Sequence, residues 1–401
     1  MAGITGMGTT YNLPNYVGEL FALTPDDTPL LSAIGGLTGG GETSATEFEW
    51  QTFDLRDPGQ SRVRTEGATA PTAEERVRAN VRNVCQIHQE KVSVSYTKQS
   101  ATGQVTTPSS APYTGVQGTN PVGNELNWQV QQALKSVALD VNWSFINGQY
   151  VLPTTNATAR QTRGLLAAIT TNKIAKGTTV TGATSATDTI TSTGHGLVDG
   201  DKIVFTNTST ATGIIAGRAY FVDQQSTDTF KVSSSSGGAA ITLGTATGIA
   251  FTKVWATALT SDHVNDLLQL AFDNGGISEQ ETATLLVNSI QKRAVTKAYM
   301  TAFGQYTETS RTVGGVNVTT VTTDFGTLNV MMDRHMPQDS IAVVSLEDLM
   351  PVFLNVPGKG HFFEEELAKT GASSDVQLYG EIGLKYGAEK HHALMTGLKL
   401  S

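Results

Sequence analysis

The stretch from Asn124 to Asn147 constrains this chain more than any other. Leu126, Val130, Leu134, Val137, Val141 and Phe145 recur at spacings of three and four, the repeat of one face of an α-helix, and Gly148 supplies the stop. Trp128, Leu139, Trp143 and Ile146 lie off that stripe, so the helix needs cover on more than one side. Such a helix is a spine, and the rest of the chain must supply its walls.

With 401 residues, the chain is sized for two or three domains, given roughly 100–200 residues per domain. Its composition changes abruptly after the spine. No glutamate occurs between Glu125 and Glu279, and from Lys176 to Gly248 Thr, Ser, Gly and Ala dominate. Within that span Lys202–Phe205, Ala219–Val222 and Thr229–Val232 read as short strands separated by turn signals such as Asp199-Gly200-Asp201. An inserted all-β domain over 176–249 follows. Its flanks are α/β material: Gly164–Ile169 before it, then a helix Ser261–Asn274 with Val264, Leu267, Leu268, Ala271 and Phe272 on one face. Strand Thr284–Val287, the capping pair Asn288-Ser289, a helix from Ile290 and strands Leu328–Met332 and Ile341–Val344 complete the layer.

Ahead of the spine, Asn15–Phe21 is amphipathic with no local partner, so a neighbour must cover it. Thr28, Pro29 and Gly35 bracket a helix of one or two turns. Residues 46–97 read as a long two-stranded projection, with Phe48, Trp50, Phe53 and Leu55 outbound and Val92 and Val94 on the return. Its tip mixes Arg56, Arg62, Arg64, Arg76, Arg78 and Arg82 with Asp54, Asp57, Glu66, Glu74 and Glu75. Those carboxylates spoil a nucleic-acid patch, leaving a solvated hairpin or ion pairs to neighbouring subunits.

A formal net charge of −9 argues against phosphate-backbone gripping as the main task. No run of ~18 apolar residues is present to cross a bilayer, and the amino-terminal residues lack the pattern of a secretory signal. Cys85 is the single cysteine, which excludes an internal disulfide and any multi-cysteine metal site, and His88 is its nearest chemical neighbour in sequence. A buried, inert thiol is expected. His391 and His392 point to opposite faces if on a strand, while His361 precedes Glu364, Glu365 and Glu366 without a converging ligand set. Gly358-Lys359-Gly360 lacks the spacing of a phosphate loop, and no Gly-x-Ser-x-Gly elbow occurs. Neither catalytic nor cofactor nor metal residues are expected.

Leu23–Gly35, Phe48-Glu49-Trp50-Gln51 and Glu66-Gly67 resemble the opening of a family of tailed-phage major capsid proteins with the Hong Kong 97 type fold. Thr323–Leu328, Asp333-Arg334-His335-Met336-Pro337, Leu367–Gly371 and Glu381–Lys385 look like its later signatures. The resemblance implies an α+β chain with an N-terminal arm (1–45), an extended β-hairpin loop (46–97) and a peripheral domain with the spine helix (98–160). It further implies an axial α/β domain (161–175 and 250–345) interrupted by the insert, and a carboxy-terminal part (346–401) returning through both.

Implied with the fold are hexamers and pentamers closing into an icosahedral shell around double-stranded DNA that is not specifically bound. The virion is the expected location, with assembly in the host bacterial cytoplasm and no membrane. A portal, a separate scaffolding protein and a decoration protein are the expected partners, the scaffold because the signature begins near Met1. The loop from Arg56 to Arg82 contains no lysine, so crosslinking through it is not expected. Interface candidates are Tyr11, Phe21, Arg56, Arg62, Arg64, Glu66, Glu74, Glu75, Arg76 and Arg78. The insert is similar to small β-domains of phage tail and surface proteins, with His195 as a turn residue, and is expected to project outward. An encapsulin-like nanocompartment shares the fold and is the alternative; a glycan-binding adhesin using the insert is the reading from another class.

Overall fold

A computed structural model describes residues 25–56, 58–100, 104–105, 117–118, 125–184, 188–277, 283–302, 320–323, 325–368 and 371–400. They divide into two compact units. One comprises Met1–Thr28, Ile87–Val141 and Asn355–Glu381; the other comprises Pro29–Gln86, Asn142–Leu354 and Ile382–Ser401.

The larger unit opens with α1 (Pro29–Ala33) and β1 (Gly41–Thr43), followed by the antiparallel ribbon of β2 (Glu47–Phe53) and β3 (Arg78–Val84). The next strand, β4 (Gln86–Ser95), leaves the ribbon and pairs in a different sheet. The expected return strand is thus two strands, broken at Cys85. Val92 and Val94 take β4 away because they are buried with Ala133 and Leu378 in a small core of the first unit. In that unit Lys91 Nζ lies 2.8 Å from Asp375, and Ser93 Oγ donates to the same carboxylate at 2.6 Å. Hydrogen bonding from Lys91, joined by Ser93 and Ser373, holds the Asp375 carboxyl down at about 2.

The spine helix α2 (Glu125–Asn147) closes where expected. A Cβ on Gly148 would meet the Ser144 carbonyl oxygen at 2.4 Å, so only glycine lets the chain turn there. Burial follows Ala133, Val137, Val141, Phe145 and Ile146. Leu134 and Trp143, read from the sequence as part of the covered surface, are each 42% exposed, because Ala133 takes the contact that the periodicity assigned to Leu134.

Strand β5 (Lys173–Ala175) leads into the insert: β6 (Thr178–Thr184), β7 (Ile190–Thr191), β8 (Lys202–Asn207), β9 (Ala219–Asp223), β10 (Thr229–Ser233) and β11 (Ala246–Lys253). They close a barrel in the order β8-β9-β10-β7-β6-β11. Phe205, Tyr220, Phe230 and Phe251 fill it with edge-to-face rings, Phe230 and Phe251 having centroids 5.3 Å apart. His195 sits between Gly194 and Gly196, both at positive φ, and its Nδ1 accepts from the Leu197 amide at 3.0 Å. Its ring stands edge-on to Phe230.

The chain then builds α3 (Ser261–Asp273), β12 (Ala283–Val287), α4 (Ser289–Ala302), β13 (Thr320–Thr323), β14 (Gly326–Met332) and β15 (Ile341–Ser345). Thr260 and His263 form a reciprocal cap at the start of α3. Phe272 is 52% exposed, although the helical repeat places it with the buried face; it leans on Phe325 at 5.6 Å. After β15 come β16 (Met350–Leu354), β17 (Phe362–Glu366), β18 (Ser373–Lys385) and β19 (Ala393–Thr396). The mixed sheet runs β13-β14-β12-β15-β19-β5, with β12 parallel to β14 and antiparallel to β15. Ala283–Val287 and Ile341–Ser345 are buried at every position, the pattern of central strands covered on both faces.

One buried side chain ties these parts together. The Asn142 carbonyl oxygen accepts from the Leu31 amide at 2.9 Å, while its amide nitrogen donates to Asp333 at 2.9 Å and reaches His335 Nδ1 at 2.8 Å. Because that nitrogen donates, His335 Nδ1 acts as acceptor. Burial would raise the Asp333 carboxyl, but hydrogen bonds from the His335 amide at 2.8 Å and from Asn142 hold it below its usual range.

Two outcomes follow from these contacts. Asn142→Ala strands the buried Leu31 amide and takes one hydrogen bond from the buried Asp333 carboxylate, and is expected to cost about 2–4 kcal/mol, read as a lowered thermal midpoint; a loss under about 0.5 kcal/mol would contradict the role given to Asn142. Burial pushes the His88 imidazole down to about 4 from 6.5, so between these values the unfolded chain binds a proton that the folded chain refuses. Stability therefore falls as pH drops through that window, and His88→Asn flattens the dependence when urea midpoints are compared at about pH 7 and about pH 4.5.

Candidate functional site

The surface best built for a partner is the distal end of the β2–β3 ribbon. The ribbon pairs Glu47 with Val84 through to Phe53 with Arg78, so residues 54–56 and 58–77 lie at its end. Glu74 draws two of the expected charges together, lying 2.7 Å from Arg62 and 3.1 Å from Arg76. Arg62 also donates to the Thr72 carbonyl at 3.3 Å, closing the loop on itself. Arg56, Arg64, Glu66, Glu75 and Arg78 are exposed along the same span. Tyr11 and Phe21 lie outside the described residues.

Apolar side chains on this end carry more energy than its charges. Phe53 is 64% exposed, Leu55 77%, Val63 72% and Val77 84%. Exposed pairs such as Arg76–Glu74 contribute roughly 0–1 kcal/mol, whereas covering a large aliphatic or aromatic side chain contributes about 1.5–3 kcal/mol. Large apolar side chains left in solvent among charged ones are how a protein–protein contact presents itself before its partner arrives. The alternation of Phe53 and Leu55 was visible in the sequence; Val63 and Val77 carried no periodic signal and were missed.

The ribbon is rigidly rooted. Trp50 Nε1 donates to the Gly387 carbonyl at 2.7 Å, and its ring meets Tyr386 edge-on with centroids 4.9 Å apart. The Arg163 guanidinium lies 4.7 Å above the Tyr150 ring and donates to the Tyr386 hydroxyl at 3.0 Å. Tyr150 in turn donates to Glu47 at 3.1 Å, and Asn83 Nδ2 donates to the Leu384 carbonyl at 2.7 Å. Gly383 is required beneath it, because a Cβ there would stand 2.6 Å from the Phe48 ring. Nothing local in the sequence marks Tyr150, Arg163 or Tyr386 for this role; they become a group only when distant segments fold together.

The remaining polar candidates have structural occupations. Cys85 is fully buried and its thiol faces the Val352 carbonyl oxygen at 3.7 Å. The His391 imidazole pairs with Asp348 at 2.6 Å, while His392 is buried with Nε2 3.0 Å from the Tyr386 carbonyl oxygen. Among the described residues no three His, Cys, Asp or Glu side chains converge as metal ligands.

Comparison with known proteins places the chain. Solved structures that resemble it include the capsid asymmetric unit of Cyanophage A-1(L), at 12% identity and a TM-score of 0.56, covering 98% of this chain and 99% of that one. The capsid of a native GTA particle matches at 12% identity and a TM-score of 0.53, over 100% of this chain and 99% of that one. The SrpI encapsulin of Synechococcus elongatus PCC 7942 is more distant, at 10% identity and a TM-score of 0.47, over 99% and 95% of the two chains. No curated protein matches by sequence. At these identities the two capsid structures establish the fold, an α+β chain of the Hong Kong 97 type. A family model described as SU10 major capsid protein matches residues 3–399. The chain belongs to the SU10 major capsid protein family.

Proposed function

We propose that this capsid protein assembles as hexamers and pentamers into an icosahedral phage head enclosing double-stranded DNA, with no catalytic role. The observation that carries this reading is the ribbon end, where Phe53, Leu55, Val63 and Val77 stand in solvent on a firmly rooted support. A second copy covers them, and the Arg and Glu side chains around them orient that contact. In this reading residues 1–45 are the arm, 46–97 the loop laid on a neighbour, 98–160 the peripheral domain, and 161–175 with 250–345 the axial domain. The barrel of 176–249 faces outward, and 346–401 returns through both domains. Tyr11 and Phe21 join the loop residues as interface positions. DNA is enclosed without being specifically bound, in keeping with a net charge of −9. Assembly takes place in the host cytoplasm with a portal and a separate scaffolding protein, and a decoration protein is a further partner.

Replacing Phe53, Leu55, Val63 and Val77 together by Ser tests this. Exposed substitutions change stability by about 0.5 kcal/mol or less each, so the four together cost at most about 2 kcal/mol and the variant stays folded, which a cooperative melt checks. Sedimentation velocity is expected to show it dispersed where the wild type forms shells. Shells at wild-type yield would remove the loop from the interface.

A further inference from the structure

The barrel is joined to the mixed sheet by two chain segments, and both are pinned close to their ends. Lys176 donates its amide to the Thr396 carbonyl at 2.9 Å and Trp255 donates to Gly397 at 2.7 Å. Two adjacent connections of this kind leave a module free to swing. A third attachment is present on the side of the barrel. The Gln338 amide donates to the Gly217 carbonyl at 2.8 Å, and the Gln338 side-chain oxygen accepts from the Ala219 amide at 3.0 Å. Gly217 has a φ of +78, and a Cβ there would stand 3.2 Å from the Pro337 Cα, so the barrel backbone lies directly on this turn. We propose that Pro337–Ser340 is a latch that holds the barrel at one fixed orientation on the mixed sheet.

The latch is braced from behind. Gln291 of α4 is fully buried and donates to the Gln338 carbonyl at 2.8 Å and the Lys399 carbonyl at 3.2 Å. The Asp339 carboxylate accepts from the Ser340 hydroxyl at 3.0 Å and the Gly397 amide at 3.2 Å, while the Leu398 amide donates to its carbonyl at 2.8 Å. Gln338 thus bonds to the barrel on one side and to α4 on the other, and Asp339 beside it bonds to the carboxy-terminal segment. Movement of the barrel cannot occur without disturbing the end of the chain. A single orientation also makes the barrels of many copies a regular surface, whatever partner meets them.

Hydrogen exchange on the full chain, read amide by amide, tests the latch without requiring assembly. In Gln338→Ala the backbone acceptor of the Gln338 amide is still present, so faster exchange there reports the seat opening and not a missing acceptor. The expected rise is about fivefold to tenfold at the Gln338 amide, with the β8–β11 ladder unchanged apart from Ala219, whose amide loses its side-chain acceptor, and Gln338→Glu, which keeps an acceptor oxygen, close to wild type. Unchanged exchange at Gln338, a uniform rise across the barrel, or a Gln338→Glu variant as fast as Gln338→Ala would each overturn the proposal.

Discussion

The buried amide of Asn142 is the contact on which the larger unit depends. It satisfies three elements at once: the amide of Leu31 in the short first helix, the carboxylate of Asp333 and the ring of His335. A leucine could fill the same volume, but it would leave the buried Leu31 amide without a partner and the buried Asp333 carboxylate short of one, a larger loss than the packing gained. The same turn extends the network outward. Asp333 donates its own amide to Val287 at the end of β12, and Asn288 Nδ2 donates to the Met336 carbonyl at 2.9 Å. The last two turns of the spine are therefore fixed against the mixed sheet by direction-specific bonds, where an apolar contact would permit sliding.

This explains what the sequence could and could not disclose. Helices α2 and α3, the central strands and the barrel strands were legible because burial imposes its period on the residues that form them. The exposure of Leu134, Trp143 and Phe272 was not legible. A helical repeat gives the width of an apolar stripe, but the partner decides which edge of it is covered, and here Ala133 faces Val92, Val94 and Leu378. The break at Cys85 was hidden for a similar reason. Strand-forming residues run through it with no turn signal, and only the choice of pairing strand changes. Asp333–Pro337 could be quoted as a family signature, yet its work as a clamp needs Asn142, 191 residues away in sequence from Asp333.

The candidate surface was half legible. The mixed charges of the loop were plain, and Arg62, Glu74 and Arg76 turn out to serve one another within the loop. Its rooted base, built from Trp50, Tyr150, Arg163 and Tyr386, is assembled across the whole chain. The physical logic joins base to tip: if the loop meets a neighbour as proposed, rigidity serves it, since each degree of freedom frozen in advance is not lost on binding. The barrel obeys the same logic through its side attachment at Gln338.

The proposed function makes this a subunit whose loop surface is completed by copies of itself. The most direct measurement is electron microscopy of the purified chain after nuclease treatment, taken with and without co-expression of the proposed scaffolding protein. Closed shells of uniform or aberrant size, studded with small barrel-sized projections, are the predicted result. A dispersed population of single subunits that persists with the scaffold present would contradict it.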